Sequence, residues 1–311
     1  MSKAIRGRKL TSKEAARVLG VSEASVKRWA DSGLLPMEKT AGGHRRFRPE
    51  DVAVVRRAGL NVEESRLQRG RSAAVLRARP PRAGELLAPG REGELVEETF
   101  RALTGGREEE LSAMLVNLHL HGQSVGAIAD GFLCAAMRRV GDLWHAGELS
   151  VAQEHVATRT ANVALENLRA VLDAPGGEGL HALCCSVEDD FHDLPLRLAA
   201  LTLEAAGLEV FNLGVSTPFP ALSEAVERFR PDLVCVSSTV LTRLDRAVYD
   251  YAAFRKVARR IGATVVLGGA GFAGDAVRRR LPADLHADSF RQLEEFTRTL
   301  AANETSNKGE S

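Results

Sequence analysis

Cysteine is scarce in this chain, with four in 311 residues, and none is placed for chemistry. Cys134, Cys184, Cys185 and Cys235 fall inside apolar helix or strand patterns. They show neither zinc-type spacing nor a disulfide framework, so they read as reduced core residues. Long apolar runs are missing too: none approaches a membrane span. The opening Met1-Ser-Lys-Ala-Ile-Arg has no signal-peptide core. These absences point to a cytoplasmic protein with no membrane partner. Net charge is nearly absent at +1, but the balance is a cancellation between regions. Residues 1–60 hold 14 Lys and Arg against 6 Asp and Glu, which leaves the remainder net acidic. A basic head on an acidic body implies that the head meets a polyanion.

What is present is ordinary in composition, 44% apolar and 27% charged, and long enough for two or three domains. In the head, residues 1–68, Thr11-Ser12-Lys13-Glu14 can cap a helix that Gly20 stops. Ser22 caps a second helix that Gly33 ends. Two short helices around a glycine turn describe a helix-turn-helix. The second helix carries Ser25, Lys27 and Arg28 on its exposed side, with Val26 and Trp29 inward. Gly42-Gly43 suits a hairpin tip, and the adjoining His44-Arg45-Arg46 suits phosphate oxygens, which arginine binds in bidentate fashion. Pro49-Glu50-Asp51 starts a further helix, and Gly59 to Gln68 reads as a short one. Residues 69–93, with Arg79-Pro80-Pro81-Arg82 and Pro89-Gly90-Arg91, read as a flexible linker.

Residues 94–174 read as an antiparallel four-helix bundle: Glu94–Leu103, Glu108–Gln123, Val125–Leu143 and Ser150–Leu172. Trp144-His145 closes the third helix, and Glu154-His155 lies in the first turns of the fourth. From 178 to 301 short apolar strands alternate with helices, which predicts a flavodoxin-like, doubly wound parallel sheet. The last ten residues, 302–311, are polar and read as a disordered tail. The run Leu180–Val187 predicts a buried strand ending in Glu188-Asp189-Asp190-Phe191-His192. Strand ends are where such sheets bind ligands. An imidazole there can ligate a transition metal, and Asp190, two residues earlier, can fix its tautomer.

Resemblance sharpens these readings. Ala-Ala-x-x-Leu-Gly-Val-Ser, Val-Lys-Arg-Trp, Gly-Leu-Leu-Pro and Gly-Gly-His-Arg-Arg-Phe, between Leu10 and about Arg57, resemble the MerR-family winged helix-turn-helix. That resemblance implies a double-stranded DNA operator as partner, a recognition helix with Lys27 and Arg28, and a wing with His44, Arg45 and Arg46. Glu188-x-Asp190-x-His192, with Ser237-Ser238-Thr239 and Gly268-Gly269 further on, is similar to the signature of cobalamin-binding domains. It implies His192 as the lower axial cobalt ligand and the serines, threonine and glycine pair as lining for the cofactor's tail. The family expects glycine where Pro195 stands; proline there can join the first helical turn, and its fixed φ and bulk can also narrow the pocket.

Trp144, nine residues, then Glu154-His155 resembles the bundle of the light-responsive cobalamin regulators of the CarH and LitR type. The implied roles are a cap by Trp144, Glu154 and His155 over the adenosyl group of adenosylcobalamin, and upper cobalt ligation by His145 after light. A homo-oligomer, a tetramer in the dark, and release from DNA on photolysis are implied with them, and no enzymatic activity. Three other readings stay open from the residues: a cobalamin-independent regulator, one that binds another tetrapyrrole, and a corrinoid carrier or mutase subunit.

Overall fold

The computed structural model describes residues 9–19, 26–27, 30, 35, 37–40, 43–48, 52, 92–172 and 179–309. It divides into two units, residues 1–71 and 72–311, each described by itself. Ser25, Arg28, Trp29, the stretch 59–68 and the linker as far as Arg91 lie outside the described residues.

In the first unit, β1 (Leu10–Thr11) leads directly into α1 (Ser12–Leu19). The expected cap is reciprocal: Glu14 N–H donates to Thr11 Oγ1 at 3.2 Å, and Thr11 N–H donates to Glu14 Oε2 at 2.8 Å. β2 (Glu38–Lys39) and β3 (Arg45–Phe47) form an antiparallel hairpin, and β1 pairs the other edge of β3. Gly43, at φ +75°, makes the hairpin tip that the glycine pair foretold. Ala15, Val26, Leu35, Phe47 and Val52 form the small core.

The second unit begins with a bundle: α2 (Glu92–Thr104), α3 (Glu108–Leu120), α4 (Val125–Ile128), α5 (Cys134–His145) and α6 (Val151–Arg169). The predicted third helix is α4 and α5 joined by a π turn over Ala129–Leu133. The wider turn has a partner. Asp130, inside it, accepts from Phe290 N at 3.0 Å and Arg291 N at 2.9 Å, so it caps a helix 160 residues away.

The sheet follows as β4 (His181–Val187), α7 (Asp193–Ala205), β5 (Glu209–Thr217), α8 (Phe219–Phe229), β6 (Leu233–Ser237), α9 (Leu244–Ile261), β7 (Thr264–Gly268), α10 (Asp275–Arg280), β8 (Leu285–Ala287) and α11 (Phe290–Gly309). All five strands are parallel, in the order β5-β4-β6-β7-β8. β5 runs past the expected end at Gly214, because a register shift lets it continue to Thr217. Cys184, Cys185 and Cys235 are buried thiols in the sheet, as expected, and burial pushes Cys185 up and makes it inert.

One expectation is corrected. Residues 302–309, read as a disordered tail, continue α11 to Gly309. The helix is anchored upstream by buried Leu293 and Glu294 and by the Asp130 cap, and extension of an anchored helix adds a hydrogen bond per residue at little cost.

Bundle and sheet share a core. Leu194, Leu198 and Leu201 of α7 pack with Leu165 and Leu168 of α6 and with the rest of the bundle. A second seam joins α4 to α11. A Cβ on Gly126 would lie 2.9 Å from both Arg291 N and Phe290 C, and 2.7 Å from Glu294 Oε2. Two of those atoms are backbone, so no rotamer change relieves them. Gly126→Ala is expected to cost about 1–3 kcal/mol and to lower the melting temperature by about 2–4 °C per kcal/mol. Thermal unfolding followed by circular dichroism checks this, and an unchanged melt would show that the seam is looser than described.

Candidate cobalamin site

The order of the strands reverses between β4 and β6, and in open parallel sheets ligands bind outside the carboxyl ends of the strands at such a reversal. The turn after β4 is held by three serine and aspartate contacts. Ser186 Oγ donates to Asp190 O at 2.6 Å, Ser216 N donates to Asp190 O at 3.0 Å, and Asp189 N donates to Ser216 Oγ at 3.1 Å. Asp189 and Ser216 both take positive φ, 66° and 54°, which these contacts stabilise. Asp190 is thereby turned inward, 1% exposed.

Its carboxylate is saturated. Oδ1 accepts His192 N–H at 3.0 Å and lies 2.7 Å from His192 Nδ1; Oδ2 accepts Thr239 N–H at 2.6 Å and lies 3.4 Å from Val240 N. A carboxylate only accepts, so Nδ1 must carry the proton. In the neutral ring Nε2 then keeps its lone pair, and the ring is 53% exposed. That is the arrangement of a metal-ligating histidine with its carboxylate partner. The same carboxylate ties the β4 turn to the loop after β6. Arg243 adds an ion pair to Asp189 at 3.3 Å, and Arg246 one to Glu188 at 3.3 Å.

Pro195 occupies the third position of α7, where backbone N–H groups have no intrahelical partner. This is a first-turn place of the kind that proline accepts.

The opposite wall comes from the ends of β6 and β7. Ser237 is buried and in register with Ser186 and Gly268. Ser238 N donates to Gly268 O, and Ser238 O accepts from Gly271 N. Ser238 Oγ is buried with no hydrogen-bond partner. Gly269 has φ +102° and a Cβ there would meet Ser238 O at 2.4 Å; one on Gly271 would meet Ser238 Oγ at 2.2 Å. Gly271 was not singled out in the sequence, although it stands two residues past the glycine pair. Gly268 is different: its Cβ would make only ordinary contacts with Ala287 at 3.6–3.7 Å.

The cap candidates gather at one end of the bundle. The turn 146–150 joins the end of α5 to the start of α6, with Ser150 and Gln153 forming a capping box. Trp144 and His145 rings lie 4.8 Å apart, and Trp144 is 41% exposed, so it is no core residue. His155 lies 3.6 Å from Glu154, whose Oε1 accepts Thr158 Oγ1 at 2.7 Å. Among the described residues no hydrogen bond or ion pair joins this set to Asp190 and His192. The link is indirect: Glu166 of α6 pairs with Arg197 of α7, which also pairs with Asp193 beside His192.

In the head, His44 is exposed and Arg45 and Arg46 are half-buried on the hairpin, while Lys27 is exposed. Glu38 is paired with Lys9 and Arg48, which hold its carboxyl below the usual range.

The arrangement suits a cobalt corrinoid. It offers an oriented imidazole with an exposed ring, an unpartnered buried hydroxyl and a wall of glycines at which the backbone packs closely. Among the described residues no helix is long and apolar enough to cross a membrane, and no cluster of three protein ligands suits a bare metal ion.

Comparison with known proteins agrees. Residues 10–58 match a helix-turn-helix domain, and residues 95–169 and 180–289 match two B12 binding domains. The chain is 29% identical over 262 residues to the HTH-type transcriptional repressor CarA of Myxococcus xanthus, covering 82% of this chain and 85% of that one. It is 27% identical over 263 residues to the HTH-type transcriptional repressor CarH of the same organism, covering 82% and 87%. The fold is also that of the Methanosarcina barkeri monomethylamine corrinoid protein, with TM-score 0.56, 20% identity, and 67% and 99% coverage. The sheet and the bundle are thus shared with corrinoid proteins, whereas the DNA-binding head is shared with repressors. A helix-turn-helix domain and two B12 binding domains in one chain, with similarity to transcriptional repressors along most of its length, support a DNA-binding regulator with a cobalamin-type cofactor.

Proposed function

We propose that this protein is a light-responsive repressor whose cofactor is adenosylcobalamin. Bound between sheet and bundle, the cofactor supplies a cobalt–carbon bond that visible light cleaves. His192 Nε2 would ligate the cobalt, with Asp190 holding the tautomer. Ser237, Ser238, Thr239, Gly268 and Gly269 line the slot for the tail. Trp144, Glu154 and His155 would cover the bound group from the bundle side, and His145, beside Trp144, would be a further imidazole for cobalt. The dark form assembles as a tetramer. Its heads bind an operator through Ser25, Lys27, Arg28, His44, Arg45 and Arg46, and linked heads gain from effective concentration. Loss of the group that the cap would cover would let dark and lit states favour different assemblies, and with them different operator affinities.

The observation that supports this most is Asp190 shared between His192 and the loop after β6. The test adds adenosylcobalamin in darkness, records visible spectrum, native mass and operator binding, then repeats all three after illumination. The parent is expected to bind with a histidine-ligated spectrum and to lose mass and operator affinity in light. His192→Ala should lose that spectrum and bind on the order of tenfold more weakly or worse. A His192→Ala spectrum matching the parent would remove His192 as the ligand. An assembly indifferent to light would remove the photochemical switch.

A further inference from the structure

Two asparagines on α6 differ: Asn167 is buried, whereas Asn162 is half-buried with its side-chain oxygen shielded. Asn167 is satisfied, its Nδ2 donating to Ser112 Oγ at 2.9 Å across the bundle. Asn162 Oδ1 is buried and has no hydrogen-bond partner. A buried carbonyl acceptor without a donor is rare in native proteins and destabilises the state that contains it.

The position explains what that oxygen awaits. Glu154, Thr158, Asn162 and Glu166 are spaced four apart on α6, so they form one row along the helix. At the upper end Thr158 Oγ1 donates to Glu154, one of the cap candidates. At the lower end Glu166 accepts from Arg197 Nη1 at 2.9 Å. Arg197 lies one turn along α7 from Asp193, directly after His192. The row therefore runs from the cap to the helix that presents His192. Asn162 stands between, about 6 Å along the axis from each neighbour in the row.

We infer that Asn162 Oδ1 accepts a hydrogen bond from a donor on the upper side of bound cobalamin. This rests on the cobalamin reading above. The chemistry required is an N–H or O–H group at the face opposite the histidine. Two parts of the cofactor provide it: the acetamide arms of the corrin ring, and the hydroxyl and amino groups of the upper nucleoside. Asn162 is thus a binding residue for the upper face, separate from the Trp144, Glu154 and His155 cap.

The test uses the full-length parent, Asn162→Leu and Asn162→Ala. Each is melted without cofactor, and each is titrated spectroscopically in the dark with adenosylcobalamin and with methylcobalamin. Removing an unpaired buried acceptor should leave the cofactor-free melting temperature level or raised. Affinity should fall by about three- to tenfold, the effect of one lost neutral hydrogen bond. A fall with both cofactors supports the inference and assigns the donor to the corrin acetamides. A fall with adenosylcobalamin alone supports it and assigns the donor to the nucleoside. Unchanged affinity for both overturns it. A lower cofactor-free melt in both variants also overturns it, since the oxygen would then be bonded within the protein itself. If the parent takes up neither cofactor, the cobalamin reading fails first and the inference falls with it.

Discussion

Asp190→Ala is expected to lower the stability of the sheet unit by about 3–5 kcal/mol and its melting temperature by roughly 2–4 °C for each of those. The reasoning starts from burial. Asp190 is 1% exposed and its two oxygens serve the backbone N–H groups of His192 and Thr239, with Val240 N at the edge of reach. Alanine leaves those donors without an acceptor. Water reaches the site poorly, so each loses most of its bonding rather than exchanging it. The loop after β4 and the loop after β6 are also no longer tied together.

Asp190→Asn separates this structural role from the chemical one. The amide keeps one accepting oxygen, so the fold should survive with a smaller loss. Its NH2 group must face one of the old donors. If it turns toward His192 Nδ1, that nitrogen becomes an acceptor and the ring proton moves to Nε2. The nitrogen that would meet cobalt then has no lone pair to give. Asp190→Asn should therefore fold, by thermal melt and circular dichroism, and fail to show the histidine-ligated spectrum. An Asp190→Ala variant that melts with the parent would show that the carboxylate holds nothing together. An Asp190→Asn variant with the parent's spectrum would show that the tautomer is set elsewhere.

The legibility of the chain followed distance along it. Asp190-x-His192 was readable because both residues lie in one turn at a strand end, and the sequence pattern alone places that turn. The capping pair Thr11 and Glu14 and the hairpin at Gly43 were readable for the same reason: the bonds span three or four residues. Alternating apolar strands and amphipathic helices likewise placed all five strands in a parallel sheet. What stayed hidden depends on partners far away. The π turn at Ala129–Leu133 exists with Asp130 turned onto α11, 160 residues on. Glu166 and Arg197 meet across 31 residues. The length of α11 depends on anchoring that its own polar end does not reveal. Thr239 also reaches the site through its backbone N–H, which donates to Asp190, a contact that composition could not disclose. Ser25 and Arg28, which the sequence assigns to the exposed side of the second helix, lie outside the described residues.

The glycine pair after β7 gives the second large effect, because its two members should behave oppositely. Gly269 has φ +102° and ψ 170°, a region that only glycine occupies readily. A Cβ there would meet Ser238 O at 2.4 Å, Ser238 C at 3.0 Å and Ser238 N at 3.3 Å, all main-chain atoms. Backbone strain and a clash with backbone cannot be relieved by a side chain moving away. Gly269→Ala should cost on the order of 3 kcal/mol or more, and it should push the loop after β6 out of place, taking Ser238 and Thr239 with it. Gly268→Ala should cost little, since its Cβ meets only Ala287 at 3.6–3.7 Å and its φ is not positive. If the crevice takes the cofactor's tail, that added methyl stands where the tail must pass. Gly268→Ala is then expected to melt with the parent and to bind adenosylcobalamin more weakly, by about tenfold for a methyl-sized obstruction of roughly 1–2 kcal/mol. Thermal melts and spectroscopic titrations of the two variants, side by side, decide the matter. Gly269→Ala melting with the parent would refute the strained loop. Gly268→Ala binding as the parent does would mean that the tail lies along some other wall, and the glycine pair would then serve only the turn.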